Sequence, residues 1–259
     1  LADEFGEDIY IIAADYNFGQ LSGDWVNVLA QENGYNIVGE EYIPLDVTDF
    51  SSVINRIQDE DPDFIMSMLV GANHENFYAQ RATNDLENIP IGTSTAMAQG
   101  HEHIRYDPPA LTNVYAGVSY MEELGDLRDG ENFVEAFYER WPEANYLNQE
   151  AQNNYFSVYL WADAVEEAGT FDQQEVISVL EEGRDVSAPS GDLTLDGATH
   201  HMEHEMRVAR ADENHEISFT NNERIGPSFL REEVEGGDGC DLREEDKTTQ
   251  YVPGDVYDV

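Results

Sequence analysis

Ile9-Tyr10-Ile11-Ile12-Ala13-Ala14, running into Asp15-Tyr16-Asn17, is the stretch on which the fold turns. Six apolar residues in a row suit a strand buried on both faces, as the central strands of parallel sheets are. Leu21, Trp25, Val28 and Leu29 then recur at helical spacing, and Gly34 supplies a C-terminal stop. Tyr35 to Ile43 reads as a second strand ended by Pro44. Phe50, Val53, Ile54 and Ile57 form the next helical stripe, with Asp49 placed to cap it. Phe64 to Val70 reads as a third strand, Asn73 to Asp85 as a helix, Ile89 to Gly92 as a fourth strand and Val114 to Tyr120 as a fifth. This alternation predicts an α/β fold with a parallel sheet covered by helices on both faces.

In such sheets ligands bind beyond the carboxyl ends of the strands. Those ends carry Asp15-Tyr16-Asn17, Gly71-Ala72-Asn73-His74, Thr93-Ser94-Thr95 and Ser119-Tyr120. All are small or hydrogen-bonding groups beside aromatic rings.

Past Tyr120 the rhythm changes. Phe133, Val134, Phe137 and Trp141 make one helical stripe, Tyr155 to Val165 a longer one, and Val176, Ile177 and Leu180 a third. From Asp192 apolar and polar residues alternate at Leu193/Leu195, Met206/Val208 and Ile217/Phe219, with Asp212-Glu213-Asn214 as a hairpin turn. Three organisational parts follow: 1–120 with 185–230, a helical part at 121–184, and an acidic C-terminal tail at 231–259.

The composition has 55 acidic residues against 12 Lys plus Arg, a net charge of −43, and Lys247 is the only lysine. Such a surface repels itself, and molar salt, with a Debye length of roughly 3 Å, screens the repulsion. The acid is spread along the chain, which points to adaptation to high salt rather than to one cation-binding tail. No basic stripe exists to neutralise phosphates, so a nucleic-acid partner is not expected. Cys240 is the only cysteine, so there is no intrachain disulfide. No apolar run reaches the ~18 residues of a membrane span.

Gly39-Glu40-Glu41-Tyr42-Ile43-Pro44-Leu45, followed by Thr48-Asp49-Phe50-Ser51-Ser52-Val53-Ile54, resembles the second lobe of the type I periplasmic binding proteins of ABC importers. The likeness is to the branch for urea and short-chain amides, near those for branched-chain amino acids. Phe133-Val134-Glu135-Ala136-Phe137 with Tyr155 to Gly169 resembles the family's paired helices. Ala188-Pro189-Ser190-Gly191 with His200-His201 resembles its return segment. The resemblance implies one α/β lobe, at 1–120 and 185–230, and part of a second at 121–184, the family's opening portion being absent. It implies capture of urea, a short amide or an amino acid in a cleft, delivery to membrane permease subunits, no cofactor and no catalysis. It also implies an extracellular or cell-surface location, anchored through a leader upstream of Leu1. A cytoplasmic amide sensor is the alternative use of the same fold.

The resemblance places Tyr16 against the ligand, in a D-Y motif. Asn73, which can both donate and accept, suits an amide, or caps the following helix. Thr93 and Ser94 are hydrogen-bonding candidates, and Tyr120 lies at the crossing between lobes. Gly92-Thr93-Ser94-Thr95-Ala96 comes close to a nucleophile elbow, which keeps an esterase built on Ser94 as a rival from another class. His200, His201 and His204 lack the spacing of the common zinc motifs and read as structural. Glu232-Glu233 and Glu244-Glu245 read as solvated surface.

Overall fold

The computed structural model describes residues 1–128, 132–227, 241–243, 252–255, 257 and 259. Cys240 and the acidic pairs at 232–233 and 244–245 lie outside the described residues. The chain divides into two compact units. The first comprises Leu1–Gly117, Val208–Thr220 and Val252–Val259, the second Val118–Arg207 and Asn221–Tyr251.

The first unit runs α1 (Ala2–Phe5), β1 (Asp8–Ala14), α2 (Asn17–Asn33), β2 (Asn36–Ile43), α3 (Ser51–Glu60), β3 (Phe64–Met68), α4 (Gly71–Thr83), β4 (Ile91–Thr93), α5 (Glu102–Arg105) and β5 (Val114–Val118). Its strands are ordered β2-β1-β3-β4-β5, and every adjacent pair is parallel. Ala14 pairs with Ile43, Ala13 with Met68, and Ser67 with Thr93, so the strands finish level at one edge. The alternation predicted from the sequence is this sheet.

β1 is buried from Ile9 to Ala14. Ile9, Ile11 and Ala13 join Ala30, Phe64 and Met68 in one cluster. By strand alternation, Tyr10, Ile12 and Ala14 serve the opposite face. Each fully buried aliphatic side chain of this kind contributes about 1.5–3 kcal/mol, which makes the central strand a large share of the unit's stability. α2 ends at Gly34 in the left-handed region (φ 76°), as the glycine's position suggested. α3 buries Val53, Ile54 and Ile57, and Asp49 Oδ1 accepts from Ser51 N–H (3.0 Å) and its hydroxyl (2.7 Å).

α4 is fastened by Arg81, whose side chain is fully buried. One terminal nitrogen donates to the carbonyls of Ala110 (3.3 Å) and Thr112 (2.9 Å). The other donates to those of Glu87 (3.0 Å) and Ile89 (2.8 Å). Burial pushes the guanidinium pKa down to about 10, so it stays charged at neutral pH. The chain segments entering β4 and β5 are thereby tied to the end of the helix.

The second unit holds α6 (Phe133–Arg140), α7 (Gln149–Ala168), α8 (Gln173–Leu180), β6 (Arg184–Ala188), β7 (Gly191–Leu195) and the first part of β8 (Met202–Ala211). β6 pairs antiparallel with β7, and β7 with β8. The sequence reading grouped 185–230 with the parallel sheet, whereas 185–207 share a unit with the helices. Packing explains the difference. Ala188 and Leu193 cluster with Phe156 of α7, and Gln152 Oε1 accepts from the Ser190 hydroxyl (2.9 Å) and N–H (3.3 Å). Val158, Tyr159 and Trp161 of α7, and Phe171 beyond it, are exposed.

β8 continues into the first unit, where the turn to β9 (Ile217–Ile225) forms at 212–216. Asp212 Oδ1 accepts from the N–H groups of Asn214 (2.8 Å) and Glu216 (2.9 Å), the turn chemistry legible in Asp212-Glu213-Asn214. His215 Nε2 accepts from Leu111 N–H (2.9 Å). Near the end of the chain, the Tyr257 ring meets Trp25 of α2 edge-on at 6.0 Å.

Replacing Arg81 with Met removes the donor from four carbonyls. It should cost at least about 1.5–3 kcal/mol, the range for losing a hydrogen bond to a charged group. Arg81→Lys, with three donors for four carbonyls, should cost less. Guanidinium unfolding curves measure both, and a loss below about 1 kcal/mol for Arg81→Met contradicts this role.

Candidate functional site

The chain leaves β1 toward β2 on one side, while β3, β4 and β5 are added on the other. In open α/β sheets such a reversal is where ligands bind, here beyond the carboxyl ends of β1 and β3. α2 starts from the end of β1 and α4 from the end of β3, so both helix N-termini lie at this edge. Their N-caps, Tyr16 and Val70, are extended and make no side-chain cap bond, and neither helix has an acidic residue in its first turn. α6, α7 and α8 each have a glutamate there. α3 also lacks an acidic first turn, but Asp49 takes its Ser51 N–H. At α2 and α4 no N-cap side chain meets the first N–H groups, and partial positive charge lies behind them.

Gly19 makes the first of these termini possible. A Cβ at Gly19 would lie 1.9 Å from the Ala14 carbonyl oxygen, so only glycine lets α2 start this close to β1. Asp15 Oδ1 is engaged by Gln20 Nε2 at 2.9 Å.

Four of the five residues chosen from the sequence belong to this edge. Tyr16 is 38% exposed, its ring 5.9 Å from Phe18. Asn73 is fully buried as the third residue of α4, and Val70, not Asn73, is the N-cap. Its amide nitrogen donates to the carbonyls of Pro44 (3.1 Å) and Val47 (2.8 Å), which holds the loop after β2. Its Oδ1 is buried without a hydrogen-bond partner. Thr93 is buried, its hydroxyl oxygen accepting from the N–H groups of Thr95 (3.1 Å) and Ala96 (3.3 Å). Ser94 is exposed beside it. Tyr120 belongs to the second unit. There it is fully buried, donates its hydroxyl to the Gly125 carbonyl (2.9 Å) and packs on Phe133. Burial raises the pKa of that hydroxyl.

Sequence reading passed over Gly19 and Glu102 here, and it named His74 only as part of a strand end, with no role of its own. His74 follows Asn73 and packs on Tyr78 at 4.9 Å between ring centres. Burial pushes its pKa down to about 4, so the ring is neutral at pH 7. His74 Nε2 is a further buried polar atom without a hydrogen-bond partner, and the buried Tyr78 hydroxyl lies beside Ser67 and Thr93.

The esterase arrangement does not form. A nucleophile elbow needs a helix directly after the strand. Beyond Ser94, the next helix begins only at Glu102. Among the histidines, His200 Nε2 lies 3.1 Å from Glu181 Oε1, and the His204 ring meets Phe156 at 6.3 Å.

An apolar cavity of about 340 Å³ also lies in this unit, lined by Leu1, Ile9, Val26, Leu29, Phe64 and Met66 among others. Ile9 and Phe64 are near the start of their strands, so it sits toward the amino end of the sheet. Its walls offer little to orient a polar solute, and the carboxyl edge remains the better site.

Residues 1–216 match the model of a family described as periplasmic binding protein, and the chain belongs to that family. Its members are ligand-binding proteins, not enzymes. No curated protein matches the chain. The fold is similar to that of an ABC-transporter solute-binding protein from Rhodopseudomonas palustris HaA2, in complex with p-hydroxybenzoic acid. That likeness has 18% identity and a TM-score of 0.74, over 88% of this chain and 63% of that one. An amino acid ABC transporter substrate-binding protein from Pseudomonas fluorescens Pf-5 is similar at 16% identity and a TM-score of 0.72, over 89% and 62%. The leucine-, isoleucine-, valine-, threonine- and alanine-binding protein from Brucella ovis, in its closed conformation, gives 18% and 0.72, over 86% and 60%. The chain thus spans about three fifths of the length of these structures.

Asn73→Ala leaves two carbonyls without their donor and should lower stability by about 1–3 kcal/mol. Tyr16→Ala, at a half-exposed position, should stay within about 0.5 kcal/mol of wild type. Thermal melts in high salt compare the two, and equal losses contradict the division of roles.

Proposed function

We propose that this chain carries the solute-binding lobe of a receptor for an ABC importer, and that its solute is small, polar and neutral: urea or a short-chain amide. One observation carries the reading. The loops at the carboxyl edge, residues 15–20, 44–50, 69–75 and 94–101, contain neither lysine nor arginine. Besides the carboxylates of Asp15, Asp46, Asp49 and Glu75, they offer two helix N-termini, the Tyr16 ring, the Ser94 hydroxyl and the unpartnered Asn73 Oδ1. Such a set donates to a carbonyl oxygen and accepts from an amide N–H.

The magnitudes favour a neutral ligand. A carboxylate taken out of water without a cation costs several kcal/mol. A helix N-terminus returns about 0.3–1 kcal/mol, up to ~2 in favourable geometry. The net charge of −43 adds long-range repulsion toward an anion, weakened by salt. The aromatic acid held by the Rhodopseudomonas palustris protein is the main competitor, since helix N-termini also receive carboxylates. An amino acid, the class in the other similar proteins' names, needs a carboxylate partner that this edge lacks as a side chain.

A receptor of this kind works outside the cytoplasmic membrane and hands its solute to permease subunits. Anchoring through a leader completes that picture. The acidic surface suits work in concentrated salt.

The test is a thermal-shift panel on the full-length protein in about 3 M KCl, with urea, acetamide, formamide, leucine and 4-hydroxybenzoate. A solute at 100 times its Kd should add about 2.7 kcal/mol of stability. Urea or an amide should raise the melting temperature and be recovered chemically unchanged. A shift with 4-hydroxybenzoate and none with the amides contradicts the neutral-solute reading.

A further inference from the structure

The loop after β4 has a conformation that needs external support. Met97 sits in the left-handed region at φ 63°, where few non-glycine residues lie. Thr95, Ala96, Met97 and Ala98 are all buried, between Ser94 and Gln99, which are exposed. The loop therefore presents the Ser94 hydroxyl to solvent at its start and folds its middle inward.

Two side chains hold it there. Thr93, the last residue of β4, grips the near end through Thr95 and Ala96 N–H and shares a hydrogen bond with the Thr95 hydroxyl at 3.0 Å. Glu102, the first residue of α5, grips the far end: its Oε2 accepts from Met97 N–H at 2.8 Å. The Glu102 side chain is buried, and Arg105 lies 3.8 Å from its other oxygen. Gly100 makes room for it, because a Cβ at Gly100 would stand 2.2 Å from Glu102 Oε1. Glutamate, small residue and left-handed turn thus form one local device, reaching into the loop that carries Ser94.

We propose that Glu102 is a positioning residue for solute recognition: its carboxylate, seated against Gly100, fixes the loop of Met97 so that Ser94 is presented at the edge shared with Tyr16 and the start of α4. The proposal rests on the neutral-solute site described above. Glu102 itself makes no contact with solute. Its effect passes through the backbone of residues 95–97.

Three variants of the full-length protein test it in high salt: Glu102→Ala, Glu102→Gln and Gly100→Ala. Glu102→Gln keeps an oxygen to accept from Met97 N–H. Gly100→Ala keeps Glu102 but displaces its carboxylate. Hydrogen exchange of the peptide spanning 94–101 reads the loop without any solute, and calorimetric titration with acetamide reads recognition. Glu102→Ala and Gly100→Ala should each speed exchange in that peptide about tenfold or more. Both should weaken acetamide about tenfold. Glu102→Gln should remain within about threefold of wild type in both readings. If Glu102→Ala fails to fold, the contrast between Gly100→Ala and Glu102→Gln decides. Unchanged exchange in the disrupted variants overturns the lock. Faster exchange with unchanged affinity overturns the positioning role while leaving the lock in place. A wild type that does not bind acetamide removes the amide site, and with it the positioning role, whatever exchange shows.

Discussion

A single buried guanidinium sets the frame for the candidate site. Arg81 is one of only 12 basic residues among 55 acids, yet it spends its donors on four carbonyl oxygens rather than on a carboxylate. Burying a charge is costly unless its hydrogen bonds are made, and here both terminal nitrogens are engaged. The gain is geometric: the end of α4 is tied to the segments that feed β4 and β5. With its far end fixed, α4 presents Asn73 at its other end, where the amide draws in the loop after β2.

The same economy of cations shapes the carboxyl edge. A chain with net charge −43 places glutamate in the first turns of α6, α7 and α8, and leaves those of α2 and α4 bare. Gly19 lets α2 start against the Ala14 carbonyl, and Val70 starts α4 in extended backbone without a side-chain cap. With no lysine or arginine in its loops, the edge has positive partial charge only from backbone dipoles. It can offer N–H groups to an oxygen lone pair without offering a full positive charge, the basis of the neutral-solute proposal.

The parallel sheet was legible because its signal is local and redundant. Ile9 to Ala14 is apolar without interruption, Val53, Ile54 and Ile57 fall on one helical face, and Gly34 terminates α2. α1 and α5 escaped notice because four residues show no period. β6 escaped because Val186 and Ala188 are its only apolar residues. That 185–207 share a unit with the helices left no sequence signal for a different reason: Phe156, Ala188 and Leu193 meet only in three dimensions. At the site, residues at strand ends could be read from order alone, which brought Tyr16, Asn73, Thr93 and Ser94 to one edge. Tyr120 follows a strand in the same way, but its hydroxyl is committed to Gly125 in the second unit. Glu102 lay out of reach, because a carboxylate accepting from a backbone N–H five residues earlier leaves no pattern in a chain so rich in acid.

The most direct measurement is amide-resolved NMR of the full-length protein in concentrated KCl, titrated with acetamide. Saturable shifts should concentrate at the N–H groups of Asn17, Phe18 and Gly19 in α2, of Gly71, Ala72 and Asn73 in α4, and at Ser94. Saturable shifts confined to other residues, with these seven amides unmoved, would show that the solute binds elsewhere and that the two open helix N-termini are not its site.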